Sequence, residues 1–198
     1  MHTCKSSQRG ATLIEVLITM LVVAVGLLGA AGLQLASTRF QQTSAMRTQA
    51  LVQADFIIEK MRVNSANLTQ ANLATAVATP AAAYIAADDY ATANVLPADP
   101  ACGLNGQPVC TPAQAAQRDL REWRQSIARD MPEGRGSIFQ VAAGGLTEPN
   151  ARRVVVMWRE KAQQETDIDA QIGANAQDPS CPPPQLDGIR CLNIWVTP

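Results

Sequence analysis

One carboxylate interrupts an otherwise apolar run at the start of this chain, and it limits what that run can become. From Ala11 to Leu33 the only ionisable side chain is Glu15. The stretch is long enough to span a bilayer, which takes about 20 predominantly apolar residues. A charge at the centre of a membrane helix costs on the order of 3 kcal/mol on insertion scales, and less near the end. An intramembrane acid therefore calls for a partner. The nearest candidate is a new amino terminus at Ala11, created if the chain is cut after Gly10. Within one helix the two sites lie about 6 Å apart along the axis. A neighbouring subunit shifted along that axis could bring its own amine to the acid.

Two plainer readings compete. Lys5 and Arg9 make a fair n-region for a secretory signal peptide. Such a peptide has an apolar core of about 7–15 residues followed by a small-residue cleavage site. Here the apolar run is longer, carries its acid near the start and leads into a further helical pattern. A generic single-pass anchor fits the length but leaves Glu15 unexplained.

Charge and cysteine usage place the rest of the chain. Net charge is −1, and no basic run suggests nucleic acid. Lys5, Arg9 and the initial amine favour a cytoplasmic N-terminus by the positive-inside rule, with Arg39 and Arg47 following on the far side. The body would face an oxidising space. Cys4 lies before Gly10; Cys102, Cys110, Cys181 and Cys191 remain, and four cysteines allow three connectivities. The local pairing of Cys102 with Cys110 and Cys181 with Cys191 is the expected one. A four-thiolate zinc site is the competing reading, but zinc motifs space their cysteines more tightly. The single histidine, His2, precedes Gly10, so the remainder lacks the commonest general base and metal ligand. No paired-carboxylate motif, phosphate loop or nucleophile elbow appears. No enzyme, cofactor or metal site is expected.

The helical pattern continues past the apolar run. Gln34 to Asn64 holds no Pro or Gly, and Met46, Ala50, Ala54, Ile57, Ile58 and Met61 mark one face. Arg47, Gln49, Gln53, Asp55, Glu59 and Arg62 fall on other faces. One helix from Ala11 to about Asn64 would measure roughly 80 Å. Gly26, Gly29 and Gly32 lie on or near one face of its first half, where small residues let helices approach in lipid. Residues 66–101 read as a long variable connection with one short helix, docked in part through Tyr84 and Tyr90.

Thr111-Pro112 opens a helix over 112–130, with Thr as N-cap. Ala116, Leu120, Trp123 and Ile127 form its apolar face; Arg118, Asp119, Arg121, Glu122 and Arg124 read as its solvated side. Three strands follow in a meander over 136–197: Ser137 to Ala142, Arg152 to Arg159 and Leu192 to Val196. Val154, Val156 and Trp158 should point one way, Arg153, Val155, Met157 and Arg159 the other. Gly134, Gly136, Gly144, Gly145 and Glu148-Pro149-Asn150 read as turns, and Trp158 and Trp195 as core. The stretch 162–190 is polar and Pro-rich.

Gly10, Ala11, Thr12, Leu13, Ile14 and Glu15 resemble the cleavage region of type IV prepilins. The resemblance implies a leader over 1–10, cut after Gly10 by prepilin peptidase, and N-methylation of Ala11. It implies subunit docking through Glu15. Ala11 departs from the Phe or Met usual at that position. Asp119-Leu120-Arg121-Glu122-Trp123, followed by Met131-Pro132-Glu133-Gly134-Arg135-Gly136, is similar to the PilV-like minor pilins, the type IV pilus modification proteins. Met131 and Glu133 stand where Leu and Gly are usual. The resemblance implies an α+β pilin-like fold: an assembly half of the helix over 11–35, a soluble half over 36–65 and a globular head over 66–198. It implies an inner-membrane precursor that joins a pilus at the cell surface. Its partners would be other minor pilins, the major pilin and the inner-membrane assembly platform. A type II secretion pseudopilin shares leader, helix and acid. A membrane-anchored periplasmic adhesive or binding module is the alternative from a different class.

Overall fold

The computed structural model describes residues 12–66, 83–88, 90, 92, 94–103, 106–143, 146–160 and 177–197. Helix α1 spans Leu13–Ala66, helix α2 Pro112–Asp130, and strands β1, β2 and β3 span Arg135–Ala143, Leu146–Arg159 and Ile189–Val196. The chain divides into two compact units at Ser44 and Ala45. The architecture is α+β: a long N-terminal helix and a small antiparallel sheet, consistent with the pilin fold.

In the second unit, α1 contributes Ala50, Ala54, Ile57, Ile58 and Met61 to the main core. These residues recur at helical spacing, so one stripe of the helix is buried while Asp55, Glu59 and Arg62 stay outside. Helix α2 supplies Ala116, Leu120, Trp123 and Ile127. Its start is a capping box: Thr111 Oγ1 accepts from Gln114 N–H (3.3 Å), and Gln114 Oε1 accepts from Thr111 N–H (3.0 Å).

The sheet is a meander in the order β1-β2-β3. Its central strand alternates between two cores. Val154, Val156 and Trp158 join the helical core, while Val155 and Met157 meet Tyr90, Cys181 and Ile189 on the opposite face. Burial on both faces explains why Val154 to Trp158 is an unbroken apolar run rather than an apolar–polar alternation.

Several strand expectations need correction. β2 begins at Leu146, so Glu148-Pro149-Asn150 belongs to a strand and not to the turn. The β1–β2 register jumps from Gln140↔Arg152 to Ala142↔Thr147, and Pro149 falls in that irregularity. A ladder gap is where a residue without an N–H can sit. β3 starts at Ile189, three residues early, because Ile189 caps the second core. Gly136 lies inside β1, not in a turn. Trp195 is 64% exposed and is not core.

The connection before α2 is held by arginines that sequence reading assigns to solvent. Arg124 is buried. It donates from Nε to Gly136 O (3.0 Å), from Nη1 to Val95 O (3.2 Å), and from Nη2 to Ala86 O (3.1 Å) and Ala87 O (3.2 Å). Arg121 Nη1 donates to Pro97 O (2.7 Å). Residues 94–100 form no regular ladder, so their carbonyls need donors from elsewhere. A guanidinium offers five in a fixed fork. Burial pulls the Arg124 guanidinium below its ordinary pKa, Asp88 opposes that, and Arg135 adds to it. Of the stretch 66–101, in which one short helix is expected, residues 67–82 lie outside the described residues.

Cys102 is bonded to Cys110, and Cys181 to Cys191. The second bond ties the loop before β3 to the second core through Cys181. Closing a loop of this length stabilises by about 2–3 kcal/mol in the chain-entropy model. Replacing Cys181 and Cys191 together with Ser is therefore expected to lower unfolding free energy by about that amount. Denaturant titration of the oxidised chain in detergent checks it.

Candidate functional site

The first unit holds an apolar helix segment that is exposed among the described residues. Residues 12–42 are all exposed, including Leu17, Leu21 and Leu28. Among the described residues one helix, within Leu13–Asn64, is long and apolar enough to cross a membrane. Two of its hydroxyls are satisfied within the helix: Thr19 Oγ1 donates to Val16 O (2.9 Å) and Thr38 Oγ1 to Leu35 O (2.8 Å). A helix entering lipid must satisfy its own polar groups in this way. Gly26, Gly29 and Gly32 have open space where a Cβ would stand. That leaves room for a second helix to approach closely.

Glu15 occupies the first turn of α1. Its N–H and that of Val16 both donate to Thr12 O, at 3.1 and 3.3 Å. A carboxylate in the first turn faces the positive end of the helix dipole, worth about 0.3–1 kcal/mol at an exposed site. That is less than the cost of carrying the charge into lipid, so the dipole alone does not account for Glu15. Gly10 and Ala11, where cleavage and methylation are expected, lie outside the described residues. Cys102, Cys110, Cys181 and Cys191 are distributed over the second unit as disulfides.

The α2–β1 motif has a physical basis in packing. Trp123 is fully buried and donates from Nε1 to Gln53 O of α1 (2.8 Å). A Cβ on Gly136 would stand 2.5 Å from Trp123 Cη2, and one on Gly134 2.4 Å from Ile127 O. Both glycines therefore serve close approach of the chain to α2. Asp119 accepts from Tyr84 Oη (2.5 Å) and pairs with Lys60 (3.4 Å). Burial raises the Tyr84 pKa, and the hydrogen bond and charge of Asp119 raise it further. The motif thus joins α1, α2, β1 and the connection at one place.

Sequence reading missed two polar anchors of that junction. Gln53 was assigned to an outer face; it is buried, accepts from Ser126 Oγ (2.6 Å) and donates to Asp130 Oδ2 (3.0 Å). Its position one residue before Ala54 on the apolar stripe was the available signal. Arg124 follows Trp123 directly, at the border of the α2 apolar face, and carried the same kind of hint.

Residues 5–31 match the family model of the prokaryotic N-terminal methylation motif. No curated protein and no solved structure gives a significant match. The motif, followed by an unburied apolar helix and a small α+β unit, supports a pilin- or pseudopilin-type protein. The same combination suggests a membrane-anchored protein.

Proposed function

We propose that this chain is a minor pilin subunit of a type IV pilus, of the PilV-like kind, acting in the initiation of pilus assembly. The observation that carries the reading is the methylation motif running directly into an apolar helix segment with no cover of its own. The precursor sits in the inner membrane with its N-terminus cytoplasmic. Prepilin peptidase cuts between Gly10 and Ala11, and Ala11 is N-methylated. The freed amine and Glu15 then act as complementary charges between adjacent helices. In a low-dielectric bundle an opposite charge at close range is worth several times its value in water. Neighbouring helices of other minor pilins and the major pilin replace lipid around the apolar segment as the assembly platform moves the subunit outward. The role is structural, not catalytic.

The Asp119–Ile138 segment supports the pilus over its nearest rival, a type II secretion pseudopilin, because it is the part that resembles PilV-like chains. A deletion strain separates the two: lost piliation and twitching supports the pilus, lost exoprotein secretion the pseudopilin. An uncut leader on the cellular protein would instead favour a membrane-anchored adhesive or binding module.

Glu15→Ala should leave leader removal largely intact and abolish most incorporation into filaments. Intact-mass measurement of the protein in membranes and in sheared filaments reads both quantities. Filaments carrying the variant at wild-type abundance would refute the charge-pairing step.

A further inference from the structure

The two disulfides stand in opposite electrostatic surroundings. At Cys102–Cys110, Arg118 of α2 donates from Nη2 to Cys102 Sγ (3.5 Å) and to Pro100 O (3.5 Å). No carboxylate among the described residues lies within ion-pair distance of that guanidinium. At Cys181–Cys191 the neighbours are oxygens. Cys181 Sγ lies 3.9 Å from Ile189 O, and the Asp178 carboxylate accepts from Cys191 N–H (3.1 Å). The adjacent cation, Arg190, pairs with Glu160 (2.9 Å). A guanidinium beside a sulfur favours the thiolate, whereas a carbonyl oxygen or a carboxylate opposes it. A disulfide opens faster when the departing sulfur is a stabilised thiolate. Of the four sulfurs, Cys102 Sγ is the one placed to depart.

Access favours its partner. Cys102 is 1% exposed, whereas Cys110 is half-buried between the exposed Val109 and Thr111. Gly103 is exposed and lies against both reacting groups: a Cβ there would stand 3.1 Å from Cys110 Sγ and 2.8 Å from Arg118 Nη1. Its φ of +69° suits glycine, and the missing side chain leaves free the space beside the Cys110 sulfur. The start of α2 gives Cys110 no partner comparable to Arg118. Its capping box uses the Thr111 and Gln114 N–H groups within itself, and Pro112 has none.

We propose that Cys102–Cys110 is a thiol–disulfide exchange site for a dithiol, with Cys110 as the sulfur attacked and Cys102 as the thiolate that departs onto Arg118. One thiolate of the dithiol bonds to Cys110 Sγ. The Cys102–Cys110 bond breaks, and its electron pair goes to Cys102 Sγ beside the guanidinium. The second thiolate of the dithiol then attacks its own mixed disulfide and expels Cys110 as a thiolate. The dithiol leaves oxidised to a disulfide, Cys102 and Cys110 are reduced by two electrons, and the two protons of the dithiol pass to solvent or to the released sulfurs. Cys181–Cys191 stays closed as the structural bond. This site does not depend on the assembly reading.

The test exposes the oxidised full chain in detergent to reduced dithiothreitol. Acid quenching, alkylation with iodoacetamide and peptide mass spectrometry then follow each cysteine pair. Cys102–Cys110 should open at least about tenfold faster than Cys181–Cys191. A single-thiol probe, reduced glutathione, should leave its adduct on Cys110 and an alkylated thiol at Cys102. Arg118→Gln should slow opening of the first bond by about threefold to tenfold and leave the second unchanged. Arg118→Lys, which keeps a cation, should recover most of the rate. The sign separates this role from a structural one: losing a mere contact to Pro100 O would loosen the loop and speed reduction. An Arg118→Gln chain that opens as fast as the unaltered one, or faster, overturns the proposal. So does a glutathione adduct on Cys102, or a Cys181–Cys191 bond that opens first. If Arg118→Gln fails to fold, seen as accelerated opening of Cys181–Cys191, the adduct position and the order of opening in the unaltered chain still decide.

Discussion

Trp123→Ala should lower the unfolding free energy by about 3–5 kcal/mol, the range for removing a large aromatic side chain from a packed core. Domains of this size are stable by only about 5–15 kcal/mol, so much of the head's stability would go. Trp123 is fully buried between α1 and β1, and its indole N–H reaches the Gln53 carbonyl. The complementary substitution sharpens the claim. In the unaltered protein Gly136→Ala puts a methyl group 2.5 Å from Trp123 Cη2 and 2.6 Å from Cζ3. The indole is pinned, so the clash should cost about 1–3 kcal/mol, as overpacking does. In the Trp123→Ala background those ring atoms are gone, and Gly136→Ala should cost little. Residues in direct contact give such non-additivity, and distant ones do not. Denaturant titrations of the four proteins, followed by near-ultraviolet circular dichroism in detergent, measure the cycle. Additive costs would show that Gly136 and Trp123 are not coupled.

The second large effect falls on Arg124. Arg124→Met preserves most of the apolar stem and removes every donor. Ala86 O keeps its bond from Ile138 N–H, but Val95 O and Ala87 O lose the Arg124 bonds that hold them, as does Gly136 O. A buried polar group left without a partner costs about 1–3 kcal/mol. Gly136 is buried whereas Ala87 and Val95 are exposed, so the loss should be about 1–3 kcal/mol, most of it at Gly136 O. Arg124→Lys should recover less than half of that, because one ammonium cannot span carbonyls on both the connection and β1. Hydrogen exchange separates this loss from a general one. Protection should fall first at the Ala86–Ile138 bridge, while α2 retains its own protection. An Arg124→Lys variant as stable as the unaltered protein would show that charge alone suffices.

These two sites differ in how far they could be read in advance. Trp123 lies on the period of four, three and four that marks the buried face of α2, and its role follows from that period. Arg124 is one residue further round the helix, and arginines on a helix usually face water. Only the carbonyls of Ala86, Ala87 and Val95 in the connection, with that of Gly136 in β1, turn it inward. Gln53 is the same case on α1. Trp195 is the converse. Alternation places it on the correct face of β3, but burial there depends on what lies above that face, and the cover ends one row short.

The local chain chemistry was sufficient for the long helix, the capped start of α2, the facing of the central strand and the acid at the head of the apolar run. Each is set by neighbours within one or two turns, through periodicity, capping and the cost of charge in lipid. Tertiary structure decided where polar side chains go when a segment without a ladder must have its carbonyls satisfied. It also decided which rows of the sheet are roofed among the described residues. Those outcomes depend on groups far apart in the chain meeting in space, and no local pattern encodes a meeting of that kind.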